Sequence, residues 1–93
     1  MAAPIDTFIV ETFNITGRGL AVATDRTSGL PVARRLSATV TRPDGSILKA
    51  DAWKEWMLRR IPEPLEQEAF LLVGLSKDEV PIGSGLHLEL GEN

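Results

Sequence analysis

The 93-residue chain carries ten Lys and Arg against thirteen Asp and Glu, a net charge of −3, with 43% hydrophobic and 25% charged residues. That length supports one core rather than two, the composition excludes a disordered or fibrous chain, and the lack of cysteine excludes disulfides, thiolate catalysis and cysteine-ligated metal. A net negative molecule is not drawn as a whole to phosphate backbones, so any nucleic-acid contact has to be local.

The start, Met1-Ala2-Ala3-Pro4-Ile5-Asp6, has no basic region followed by an apolar stretch, and the longest apolar run, residues 69–73, is far short of the ~20 residues of a membrane span. A cytoplasmic protein without membrane contact is expected. Residues 6–15 read as a first strand in which Phe8, Val10, Ile9, Phe13 and Ile15 alternate with polar residues; the alternation slips between Val10 and Phe13, as at a β-bulge. Gly17-Arg18-Gly19 then allows a tight reversal. Residues 20–24 return as a strand that ends in the turn formers of 25–29. Residues 36–41 alternate again, and Arg42-Pro43-Asp44-Gly45 is the strongest turn signal in the chain: Pro fixes the first corner, Asp caps it and Gly takes the left-handed position.

Over residues 46–60 the local rules conflict. At period two, Leu48, Ala50, Ala52, Trp56 and Leu58 share a face on which only Lys54 intrudes; at helical period, Asp51 caps a helix carrying Ala52, Trp53, Trp56 and Met57. Propensity favours helix. Pro62-Glu63-Pro64 breaks the backbone, residues 66–73 read as a buried strand, Ser76 to Glu79 form one capped helical turn, and residues 86–90 form a last alternating strand. The total is about six strands.

The order of these signals resembles the second domain of translational GTPases such as elongation factor Tu. Phe8, Val10, Phe13 and Ile15 followed by Gly17-Arg18-Gly19 are similar to the family's opening strand and hairpin, and Leu71 to Val80 with Gly83 looks like its closing segment. The resemblance implies an all-β, single-domain antiparallel barrel over residues 1–93, with the barrel itself at 5–90, standing without a GTPase domain. It also implies strand over residues 47–60, which decides against helix there. Departures fall on the loops that in elongation factor Tu help hold the aminoacyl end of transfer RNA. Arg34 stands where the family commonly has Gly, residues 64–68 replace a small residue, Gly and Asn, and Val73 replaces an Arg. That binding site is therefore not carried over.

Catalytic chemistry is sparse. Gly83-Ser84-Gly85 lacks the Lys of a nucleotide-binding loop, and His87 is the single imidazole, leaving Ser84 or Ser76 as the hydroxyls a triad would need. A zinc site wants about four ligands. Glu63, Glu66 and Glu68 read as an acidic loop. No enzyme and no cofactor is expected.

Trp53 and Trp56 differ by three, so on a strand they face opposite sides; both belong to the core, or one is exposed beside Arg59 and Arg60. Arg34, Arg35, Trp53, Trp56, Arg59 and Arg60 make the expected partner-binding surface. The leading expectation is a protein-interaction module that binds through an edge strand or this Trp-Arg surface, in the size range of bacterial adaptors, antitoxins and immunity proteins. The alternative is an RNA- or ribosome-associated accessory factor, which requires Arg18, Arg34, Arg35, Arg59 and Arg60 to gather on one face.

Overall fold

The computed structural model describes residues 4–25, 30, 34–59 and 65–91. Six strands are present: β1 (Ile5–Ile15), β2 (Gly19–Thr24), β3 (Arg35–Thr41), β4 (Ile47–Arg59), β5 (Leu65–Val73) and β6 (Gly85–Leu90), with one 3₁₀ turn at Lys77–Glu79. They form a closed barrel in the order β1-β2-β5-β4-β3-β6, every neighbouring pair antiparallel. The closing seam is the short β1–β6 ladder, which sets Ile5 opposite Leu88 and Phe8 opposite Gly85. Closure leaves no sheet edge around the six-stranded part of the barrel, which is how such a fold avoids unwanted strand addition.

Alternation along each strand decides what fills the interior. Leu20, Val22, Leu36, Ala38, Val40, Ala52, Phe70, Leu72, Leu86 and Leu88 point inward, and with Ile9, Leu30 and Val80 they make one core. In β1 the register breaks between Ile9 and Glu11, one residue earlier than the sequence slip suggests. This bulge reverses the parity of the strand. Thr7 and Ile9 are buried before it and Thr12 after it, so Phe8, Val10, Phe13 and Ile15 all end on the outer surface. Of the apolar β1 residues, only Ile9 enters the core, with Ile5 packed partly against it.

Turn chemistry follows the sequence closely. At Pro43-Asp44-Gly45 the Gly45 N–H donates to Arg42 O at 2.8 Å and Gly45 adopts φ +91°. Asp44 accepts from both the backbone N–H and the hydroxyl of Ser46, bonds that pull its carboxyl below the usual carboxylate range. Ser76 donates its N–H to the Glu79 carboxylate across the 3₁₀ turn. Residues 47–59 are strand, against their helix propensity, because β4 finds β3 through the Pro-Asp-Gly hairpin and β5 on its other side. Arg60, the segment 61–64 and most of the turn at 25–29 lie outside the described residues.

Candidate functional site

Register places the expected site residues. Arg35 opens β3 directly opposite Trp53 of β4, and Trp53 faces Leu71 of β5 on its other side. By alternation these residues share the outer surface, because Ala52 and Lys54 on either side of Trp53 are buried. Leu71 in turn lies opposite Ala21, and Ala21 opposite Phe13. A row of Phe13, Ala21, Leu71, Trp53 and Arg35 therefore crosses five strands. Trp53 is 36% exposed and Trp56 is 52% exposed, so neither tryptophan belongs to the core.

Trp56 follows Lys54 on the opposite face of β4, past the level at which β3 and β2 stop pairing with the β4–β5 ladder. The two tryptophans therefore do not form one surface, as their spacing of three dictates. Arg34 precedes β3 and is exposed. Arg59 ends β4 with its side chain outside the description, and Arg60 lies outside the described residues altogether.

The arginines are not pooled. Arg18, at the tip of the Gly-Arg-Gly hairpin, reaches across β2 and β5 to Glu55 of β4, Nη2 to Oε2 at 3.0 Å. With Trp56 and Ile15 the two side chains line a small hollow of about 100 Å³ that also takes in Ala21, Ala69 and Leu71. Arg35 lines a wider hollow of about 470 Å³ together with Ser37, Asp51 and Glu89. Arg42 is structural, its guanidinium donating to Glu79 O at 2.7 Å and to Ser46 Oγ at 3.2 Å.

One group that looks like an intruder in the sequence belongs to the most deeply buried ion pair among the described residues. Lys54 Nζ lies 3.2 Å from Glu68 Oε2, with the two side chains 8% and 6% exposed. The ammonium also donates to Leu30 O at 2.8 Å and sits 5.2 Å from the centre of the Trp56 ring. A lysine at an inward position four residues after Ala50 carries its signal only once Glu68 is known to face it, and that pairing is a property of the β4–β5 register.

His87 lies on the outer surface of β6 opposite Asp6 of β1, with Nδ1 2.7 Å from the Asp6 carboxylate and Nε2 3.7 Å from Glu89. The hydrogen bond to Asp6 is the main influence and, despite partial burial, raises the imidazole above its ordinary value of 6.5. A raised folded value means the folded state holds its proton more tightly than the unfolded chain. The stabilisation is complete below about pH 6.5 and is lost as pH climbs through the raised value. Urea midpoints taken between pH 5.5 and pH 8.5 are therefore expected to fall with rising pH, and the His87→Gln variant to show a flatter profile; equal slopes for the two proteins would refute this.

The hydroxyls considered for a triad are occupied elsewhere. Ser84 is buried and its Oγ donates to Pro81 O at 2.6 Å, while Ser76 Oγ bonds the Glu79 carboxylate. Among the described residues no cluster of His, Asp and Glu is arranged to hold a metal ion, and no helix is long and apolar enough to cross a membrane. Compared with protein-family models, with curated proteins and with solved structures, the chain matches none of them.

Proposed function

We propose that this chain is a non-catalytic module that binds another protein through the outer barrel face centred on Trp53 and Arg35. The observation that carries the reading is the cross-strand pairing of these two residues on an exposed surface. Trp and Arg are the residue types that most often dominate protein interfaces, because each offers a large contact area together with a polar handle. Phe13, 36% exposed, extends the same row, so the face has apolar content beyond a single aromatic, while Leu71, between Phe13 and Trp53, is buried. With the barrel closed, recognition through an edge strand gives way to recognition through side chains. The scaffold we propose is that of the translation-factor second domain; its support is the six-stranded closed barrel with Gly17-Arg18-Gly19 at the first hairpin.

The RNA-associated alternative is less favoured because Arg18 is paired with Glu55 and Arg35 shares its hollow with Asp51 and Glu89. Interleaved acids weaken the local field on which phosphate binding depends. A non-catalytic role accords with the engagement of Ser84 and Ser76 away from His87.

A photoreactive residue at position 53 provides the test. Irradiation in cells is expected to crosslink a discrete protein, and with that protein purified, Trp53→Ala and Arg35→Ala are each expected to weaken binding by roughly tenfold or more. A fluorescence titration with transfer RNA at two salt concentrations runs alongside. Binding that collapses at the higher salt, with no protein crosslink, would replace this reading by the RNA one.

A further inference from the structure

The outer surface of β3 is a lane of small hydroxyl side chains between taller neighbours. Register sets Ser37 between Asp51 of β4 and Glu89 of β6, Thr39 between Lys49 and His87, and Thr41 between Ile47 and Gly85. Beyond Gly85 stands Phe8 of β1. Adjacent strands lie about 4.8 Å apart, so Asp51 and Glu89 stand roughly 10 Å apart across β3, and Phe8 and Ile47 about 14 Å apart across β3 and β6. A hollow occupies each end: the one of about 470 Å³ at Ser37, and another of about 390 Å³ lined by Phe8, Thr41, Gly85, His87 and Asp6, with Ile47 outside it on the far side of Thr41.

The two ends differ in chemistry. At Ser37 the flanking residues are two carboxylates, with Arg35 lining the same hollow, and Asp51 makes no hydrogen bond or ion pair among the described residues. At Gly85 the flanking apolar residues are Phe8 and Ile47, 58% and 59% exposed, with Thr41 and the bare glycine between them. Ser37 and Thr41 are four residues apart, about 13 Å along a strand. In an extended chain, side chains four positions apart point the same way and span the same distance.

We infer that this trough receives an extended segment of the partner protein, with a Lys or Arg between Asp51 and Glu89 and an apolar side chain four residues along, over Gly85 between Phe8 and Ile47. Arg35, two residues before Ser37 on the same lane, meets an acidic side chain two positions ahead of the basic one. The inference rests on the protein-binding reading above and names the partner's chemistry. Charge complementarity selects a base at one end, and exposed apolar area selects the other.

The probe is a capped, otherwise Gly/Ser/Thr nonapeptide with Glu, Lys and Leu at positions 1, 3 and 7. Its control exchanges the Lys for Glu. Amide shift mapping is expected to show perturbations at Ser37, Thr39, Thr41 and His87, with the Lys peptide bound at least tenfold more tightly than the control. Asp51→Asn combined with Glu89→Gln is expected to abolish that preference. Gly85→Ala adds a Cβ that meets Thr41 only at an ordinary 3.8 Å, so the fold persists while the apolar notch shrinks and affinity falls severalfold. Equal affinities for the two peptides, or no perturbation along β3, would overturn the trough. If the protein crosslinked at position 53 is weakened by Trp53→Ala but indifferent to the Asp51, Glu89 and Gly85 variants, the trough falls while the protein-binding reading stands. With no crosslinked protein and no peptide shifts, both fall.

Discussion

Replacing Lys54 with methionine is expected to cost about 3–5 kcal/mol of stability, as is replacing Glu68 with leucine, because each leaves the other charge buried without its partner. Against a net stability of about 5–15 kcal/mol for a small domain, that is a large fraction. At roughly 4–8 °C per kcal/mol for a chain of this size, the melting temperature drops on the order of 15 °C or more. The double replacement, Lys54→Met with Glu68→Leu, is expected to recover most of the loss, since well-packed apolar groups replace an ion pair that had to be desolvated. Calorimetry of the two single variants and the double variant measures the coupling. Additive losses would show that the two side chains do not act as a pair. The Lys54 bond to Leu30 O gives the pair a second role, since it ties the connection between β2 and β3 to the barrel wall. The Lys54 variant is therefore expected to lose amide protection at Leu30 more than Glu68→Leu does.

The second large effect lies in the Gly17-Arg18-Gly19 hairpin, whose two glycines are not equivalent. Gly17 adopts φ +79° with nothing within 4 Å of an added Cβ, so Gly17→Ala carries only the strain of the left-handed conformation, about 1–2 kcal/mol. Gly19 adopts φ +146°, and a Cβ there would overlap the Leu72 carbonyl oxygen and come within 2.9 Å of Gly74 N. Those are backbone atoms of the paired strand and cannot swing aside. Gly19→Ala is therefore expected to cost about 3–4 kcal/mol or more, as strain and overpacking combine. Urea unfolding of the two variants decides the matter, and a Gly19→Ala protein as stable as Gly17→Ala would show that β2 and β5 can separate there at little cost.

These two sites also mark what the sequence reveals and what it conceals. Gly-Arg-Gly announces a hairpin by itself, because positive φ is a local demand. The closeness of β2 to β5 that makes Gly19 indispensable is a non-local fact. Pro43-Asp44-Gly45 and the Ser76–Glu79 turn were legible for the same local reason. The strand at 47–59 was only half legible: Leu48, Ala50, Ala52, Trp56 and Leu58 share a face at period two, but propensity points to helix and the partners that overrule it lie in β3 and β5.

Within the candidate site, the spacing of Trp53 and Trp56 was enough to put them on opposite faces. Their exposure was not readable, because it depends on where the ladders to β3 and β2 stop. The β1 bulge is the sharpest case. Phe8, Val10, Phe13 and Ile15 read as β-formers of a first strand, and a single extra residue at Val10 turns Phe13 and Ile15 to the outside. Lys54 shows the converse: a charge at an inward position looks like an error until the register supplies Glu68.

The seam between β1 and β6 governs when the barrel comes into being during synthesis. β1 is made well before its ladder partner, Gly85 to Leu90, about seventy residues further along. While β6 is still inside the ribosome, β1 and β3 each lack one neighbour, and the core residues Leu86 and Leu88 are missing. Closure thus waits until β6 has emerged, and the long sequence separation places this domain among slow folders for its size. Until then the unfinished sheet presents two open edges, the condition under which nascent β-proteins depend on chaperones.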